Sequence, residues 1–158
     1  MKTKKDNKVV YLALFLFLSF FMSWWGGYIT SYFKEPWYST LIKPTFNPPD
    51  WVFAPVWISL YLLMGYSAWL MWSSREKTQK ILNIYFIHLV VNASWSVMFF
   101  AFHQILASLV IIALIIFFVL WLIKLYYSVN KLSSYLMIPY LVWLCFAFIL
   151  NYSILILN

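Results

Sequence analysis

The chain has one cysteine, two histidines and four acidic residues among 158. A single Cys145 excludes an intrachain disulfide and says nothing of the redox compartment; inside an apolar run it reads as a small core residue. Two histidines and one cysteine without paired spacing do not make a metal site. The acids, Asp6, Glu35, Asp50 and Glu76, all fall outside the apolar runs. Ion-coupled pumps keep an ionisable relay at membrane depth, so a proton-driven carrier with a buried carboxylate is disfavoured. Carboxylate pairs, phosphate-cradling loops and nucleophile elbows are missing too. Conventional hydrolytic and phosphoryl-transfer chemistry has no candidates.

What is abundant is apolar surface. A mean hydropathy of +0.84 with 9% charged residues is the composition of a polytopic membrane protein. The formal charge of +7 does not point to nucleic acid, because the basic residues lie between apolar spans rather than on one soluble face. Five apolar runs, about 9–31, 51–72, 81–102, 105–127 and 135–157, each approach the roughly 20 residues that cross a bilayer as a helix. They lack the alternation of barrel strands, and backbone in lipid must satisfy itself, so the expected fold is one all-α bundle of five transmembrane helices over residues 1–158. The first run follows Lys2, Lys4, Lys5 and Lys8 like a signal peptide, but it is too long and ends in bulky SWWGG, so it reads as a retained helix.

Nine basic residues (Lys2, Lys4, Lys5, Lys8, Arg75, Lys77, Lys80, Lys124, Lys131) fall on one side and two (Lys34, Lys43) on the other. The positive-inside rule then predicts a cell-membrane protein with a cytoplasmic N-terminus, an external first loop and an external C-terminus. In that loop, 32–50, and the turn of helix that follows, residues 37–57 read WYSTLIKPTFNPPDWVFAPVW. Four prolines restrict the backbone and the aromatics supply rigid contact area, the makings of a preformed lid over something apolar and planar. Asn47 is expected to cap the second helix, with Pro48 at its first position and Asp50 in its first turn.

Three stripes at helical spacing sit beneath this lid: Trp57, Tyr61, Met64 and Ala68; His88, Asn92, Trp95 and Phe99; and Pro139, Trp143, Ala147 and Asn151. Each alone reads as bundle core. Together under one aromatic loop they suggest an indole-lined pocket oriented by Asn92. His88 reads as a histidine bonded to a neighbouring helix rather than a haem ligand, and His103 as interfacial. Ser19, Ser23 and Gly27, beside Gly26, read as a face for close helix packing. The fourth run, almost uniformly aliphatic, reads as lipid-facing or as a subunit contact.

The 37–57 string, LYLLMGYSAWLMW after it, Gly26-Gly27, Asn92-Ala-Ser-Trp95 with Phe99-Phe100, and PYLVWLCFAFILNY at 139–152 closely resemble the signature of the translocator protein family, also called tryptophan-rich sensory proteins or peripheral-type benzodiazepine receptors. The resemblance spans about residues 20–152 in the family's order. It implies a five-helix bundle, often a homodimer, with a pocket under the first loop that takes porphyrins and isoquinoline or benzodiazepine-type drugs. By motif, Trp57, Asn92, Trp143 and Ala147 would line that pocket. Tyr38, Pro48 and Trp51 would belong to the lid, with Trp95 and Phe53 as neighbours. Three positions depart from the pattern. Phe46 stands where many members have tryptophan. His88 replaces a common glutamine and joins the candidate ligand-binding set. No basic residue follows Tyr152, which removes the sterol-recognition pattern.

The readings that remain are a receptor, sensor or carrier for tetrapyrroles such as protoporphyrin IX or haem, bound as ligand with no cofactor or metal required; a light-dependent porphyrin-degrading enzyme with Trp57 and Trp143 as candidate redox residues; and a membrane scaffold that modulates other proteins.

Overall fold

The computed structural model describes residues 8–74 and 78–158. The basic residues Lys2, Lys4, Lys5, Arg75 and Lys77, and the acids Asp6 and Glu76, lie outside the described residues. The elements are α1 (Lys8–Phe33), α2 (Trp37–Thr40), α3 (Asp50–Ser73), α4 (Gln79–Ser96, continued by a π turn, Val97–Ala101), α5 (Ile105–Val129), α6 (Lys131–Leu136) and α7 (Ile138–Leu157). Five helical stretches, α1, α3, α4 with its π turn, α5, and α6 with α7, are long and apolar enough to cross a membrane. The protein is an all-α, multi-pass membrane bundle. The fifth stretch begins at Lys131, earlier than hydropathy places it, because the Asn130 side chain accepts the Ser133 N–H and starts the helix (3.2 Å).

Around the bundle the helices run α1, α3, α6/α7, α5, α4 and back to α1. One end is packed solid: Met64, Ala68, Met71, Tyr85, Leu89, Val119, Leu122, Tyr126, Met137 and Tyr140 are fully or almost fully buried. Several polar groups in this half are paired across helices, while Tyr126 Oη, Ser133 Oγ and His88 Nδ1 are buried without a partner among the described residues. Ser19 Oγ meets the Tyr85 hydroxyl at 2.7 Å, Ser67 Oγ donates to the Ser133 carbonyl at 2.7 Å, and Ser134 Oγ donates to the Ile123 carbonyl at 2.9 Å.

Three expectations are corrected. The fourth run is not merely lipid-facing: α5 is central, packing on α4, α6 and α7, and buries Ser108, Ile112, Ile115, Val119 and Leu122. A uniformly aliphatic helix hides which face is inward, because either face could be. Cys145 is exposed on α7, not core; thiols are apolar enough to face lipid as readily as protein. Asn47 does not cap α3. Pro49 precedes the first turn in an extended conformation (φ −57°, ψ 145°) and the helix starts at Asp50, which leaves Pro48 outside it. The residue before a proline is driven away from helical geometry, so Pro48, followed by Pro49, could not open the helix.

The predicted small-residue face of α1 divides. A Cβ on Gly26 would sit 3.2 Å from Ser96 Oγ, whereas one on Gly27 would meet nothing within 4 Å. The tightest approach belongs to Gly65 of α3, where an added Cβ would lie 3.0 Å from Ser19 Oγ and 3.3 Å from the Leu16 Cα. We expect Gly65→Ala to destabilise the bundle by about 1–3 kcal/mol, the cost of overpacking against backbone. Gly27→Ala should be neutral or stabilising by up to about 1 kcal/mol. Reversible unfolding in mixed detergent micelles distinguishes the two.

Candidate functional site

The end of the bundle opposite the packed half is hollow. A cavity of about 420 Å³ lies between the C-terminal half of α1, the first turns of α3, the end of α4, the start of α5 and the second half of α7. That size suits a drug-sized guest.

Its floor is polar and closed. Asn92 Nδ2 donates to the Tyr61 hydroxyl at 2.9 Å, and both residues are buried. His88 is not part of the lining: it is fully buried, and its Nε2 lies 3.1 Å from the Tyr140 hydroxyl. The bond to a neighbouring helix expected of His88 is therefore present, but the residue supports the floor rather than touching the cavity. Met64 and Ala68, the lower half of their stripe, belong to the core, and Pro139 is exposed.

Two aromatic walls face each other across the space. On α3 and α7, Trp57 meets Trp143 edge-on (6.4 Å, 86°), and Phe53 packs edge-on against Trp143 (6.0 Å, 74°). On α4, Trp95 stacks on Phe99 (5.1 Å, 15°) and meets Phe100 edge-on (5.8 Å, 88°). The π turn over Val97–Ala101 is the reason both phenylalanines reach Trp95. A π turn brings residue i+5 over residue i, where an α turn would bring i+4, and such turns recur at functional sites. Sequence reading picked out Phe99 by periodicity and could not give Phe100 the same place.

The chemistry of the walls is that of unpaired donors. Trp95 Nε1 and Trp143 Nε1 are buried and have no hydrogen-bond partner among the described residues. Buried N–H groups are rarely left so, since each costs about 1–3 kcal/mol when unsatisfied. No group of three or more potential metal ligands occurs among the described residues, and the acidic residue of the lining is Asp50, at its rim. Ile112 and Ile115 of α5 and Asn151 of α7 complete the lining. Asn151 Nδ2 donates to Ser108 Oγ at 3.1 Å, fixing α7 against α5.

The lid is the segment from Lys34 to Asp50, bound at both ends. Lys34 and Asp50 form an ion pair that joins the end of α1 to the start of α3. Tyr38 in α2 is buried over the cavity against Phe99 and Phe100, and its hydroxyl donates to Asn47 Oδ1 at 3.4 Å. Burial, and next the nearby Asp50 carboxylate, push the Tyr38 phenol above its ordinary pKa, so it stays neutral. Lys43 Nζ sits 4.5 Å from the centre of its ring. Trp37 stacks on His103 (4.3 Å, 17°), which follows the π turn in a left-handed conformation (φ 56°). Asn158 clasps the far side of the lid, its amide accepting from the Ile42 N–H (2.9 Å) and donating to the Ile42 carbonyl (3.0 Å).

Of the residues singled out by sequence, Tyr38, Phe53, Trp57, Asn92, Trp95, Trp143 and Ala147 line this cavity. Pro48 and Trp51 do not: Trp51 is 74% exposed on the outer face of α3, and Pro48 shapes the lid backbone. Phe46 is also turned outward, edge-on to Phe146 (6.4 Å). Sequence reading left out the ion pair and the Asn158 clasp, because contacts between positions this far apart leave no periodic mark.

The Asn92–Tyr61 bond should be measurable by itself. Tyr61→Phe and Asn92→Leu are each expected to lower stability. The double variant should lose less than the sum, by about 0.5–1.5 kcal/mol, the range for interhelical hydrogen bonds in membranes. A double-mutant cycle on detergent-unfolding midpoints gives that figure directly.

Known proteins place this architecture. The model of the TspO/MBR family matches residues 14–157. The chain is 35% identical over 157 residues to the tryptophan-rich protein TspO of Chlorobaculum tepidum, covering 97% of this chain and 99% of that one. It is 37% identical over 122 residues to the human translocator protein, covering 75% of this chain and 72% of the other. The tryptophan-rich sensory protein of Cereibacter sphaeroides is 31% identical over 145 residues, covering 90% and 91%. On the family match, these identities and the five-helix bundle together, the chain belongs to the TspO/MBR family.

Proposed function

We propose that this protein is a membrane receptor or carrier that holds a flat tetrapyrrole of the protoporphyrin type between the two aromatic walls of its cavity. The observation that carries the reading is the pair of unpartnered indole donors, Trp95 Nε1 and Trp143 Nε1, in a predominantly apolar lining. A guest that presents ring nitrogens, carbonyls or carboxylates supplies the missing acceptors, while its apolar face replaces lipid or water against the rings. The absence of a cavity histidine among the lining residues favours recognition of the macrocycle itself over ligation of a metal at its centre. Relatives named as translocator and sensory proteins fit a membrane protein that binds rather than hydrolyses.

The orientation that accompanies this reading puts the lid outside the cell. Lys8, Lys80, Lys124 and Lys131 lie at the packed end, and Lys34 and Lys43 at the lid end.

One observation favours a second, enzymatic reading. Trp57 and Trp143 lie 6.4 Å apart and both line the cavity, so a photoexcited porphyrin bound there would touch two oxidisable indoles. Illuminated in air, protoporphyrin IX should then give a defined product with wild type and much less with Trp57→Phe. The same product at the same rate from free tryptophan in detergent would reject catalysis.

For the binding reading, titration with protoporphyrin IX is expected to quench tryptophan fluorescence saturably at micromolar ligand. Trp143→Phe and Trp95→Phe should each weaken binding about five- to thirtyfold, the worth of one hydrogen bond to a buried donor. Unchanged fluorescence of the folded protein would overturn the tetrapyrrole assignment.

A further inference from the structure

The lid is fastened on every side, yet the cavity is not closed. Between α1 and α3 the helices touch at Gly65, packed on Ser19 and Leu16, and are joined again at the ion pair of Lys34 with Asp50. Between these two fasteners the cavity lining is open to the outside. The cavity lining there includes Gly27 and Ser31 of α1 and Ala54 and Ile58 of α3, all four of them exposed, Ile58 by 55%. Nothing stands within 4 Å of a Cβ placed on Gly27. At about 1.5 Å of rise per residue, Gly27 and Ile58 lie roughly 9–12 Å inside their helix ends, within the hydrocarbon depth rather than at the water boundary.

The outer face of α1 beside this gap carries a ladder of exposed rings. Phe17, Phe21, Trp24, Tyr28 and Tyr32 follow one another at centroid separations of 6.3, 5.9, 5.8 and 6.3 Å. Aromatic belts anchor helices at the interface, but these five rings extend along about 22 Å of helix, most of the thickness of the hydrocarbon layer. On a helix turning about 100° per residue, Gly27 and Ser31 fall between the cavity-facing Ser23 and Thr30 and the ladder's Trp24 and Tyr28. The ladder therefore abuts the gap.

We propose that the gap between α1 and α3, rimmed by Gly27, Ser31, Ala54 and Ile58, is a lateral window through which a flat apolar guest passes from the lid-side leaflet into the cavity, with the α1 aromatic ladder as its landing surface. The proposal rests on the tetrapyrrole reading for the identity of the guest but not for the existence of the window. A tetrapyrrole partitions into lipid, and a sideways path spares it the passage through water above the lid. The glycine at 27 keeps the opening clear, and the fasteners above and below allow it to exist without loss of the bundle.

The test uses the full chain in proteoliposomes, with protoporphyrin IX preloaded in the bilayer of acceptor vesicles and tryptophan quenching followed in time. Gly27→Leu and Ala54→Phe each narrow the window from one side. Both are expected to slow binding and release together, each by about tenfold, as a steric barrier of about 1.4 kcal/mol on the path would do. Loss of a pocket contact would instead speed release alone and overturn the assignment. Asn158→Ala, which frees the lid at Ile42, should leave the rates as they are; faster binding in that variant, with no response to the two window variants, places the route through the lid and overturns the window. A second arm needs no porphyrin. In bilayers of phosphatidylcholine with brominated acyl chains, wild-type tryptophan emission should be quenched more than that of Gly27→Leu or Ala54→Phe, because the window exposes cavity indoles to lipid. Equal quenching overturns the window even if porphyrin binds; no porphyrin binding with unequal quenching retains the window and rejects the tetrapyrrole.

Discussion

Everything above the middle of this bundle depends on the contact of Gly65 with Ser19. There α1 and α3 approach closely, since even a methyl group on Gly65 would stand 3.0 Å from Ser19 Oγ and 3.3 Å from the Leu16 Cα. The same Ser19 hydroxyl is bonded to its own helix at the Phe15 carbonyl (2.8 Å) and to Tyr85 of α4 (2.7 Å). One small residue and one hydroxyl thus tie three helices at a point. In lipid, where apolar burial gives helices little reason to associate, close packing and shared hydrogen bonds are what hold them. With the helices pinned there, a cavity can open beyond the pin without the bundle coming apart.

Both halves hold paired and unpaired polar groups. In the packed half, Ser67, Ser134 and the His88 Nε2 find partners on other helices, while Tyr126 Oη, Ser133 Oγ and His88 Nδ1 are buried without one among the described residues. In the hollow half, the amide of Asn92 is paired to Tyr61, but the indole donors of Trp95 and Trp143 are not. On the binding reading proposed above, an acceptor on the guest would satisfy those two open donors. That would make the cavity selective in a way aromatic walls alone are not. A pure hydrocarbon of the right shape would fill the space and leave both N–H groups stranded.

Much of this was legible in the sequence. Five apolar runs of spanning length, and the absence of acids within them, fix an α-helical membrane bundle with little choice left. The recurrence of Trp57, Asn92, Trp95 and Trp143 beneath a proline-stiffened loop marked the cavity before its shape was known. Periodicity, however, selects a face and not a depth. His88, Met64 and Ala68 share faces with cavity residues but sit a turn or more beyond the floor, in the core. Trp51 belongs by motif to the lid but points away, because six residues before Trp57 on the same helix it falls about 120° round from the cavity face. The π turn that carries Phe100 to Trp95 depends on a local hydrogen-bond register that composition does not encode.

The lid and the side of the bundle pose a single physical problem. A loop held by prolines, by the pair of Lys34 with Asp50 and by Asn158 on Ile42 loses little entropy in closing over a guest, and so favours tight retention. The same fastening makes it a poor door, since opening would break the ion pair, the Asn158 bonds and the Trp37–His103 stack at once. Retention and access therefore suit different surfaces. The lid faces water, where an apolar guest is scarce. The α1–α3 side faces lipid, where such a guest is concentrated, and there the lining is small and open at Gly27 and Ala54. On the proposed reading, rigidity at the top and a gap at the side would let one cavity hold a guest firmly without barring the path by which it arrives.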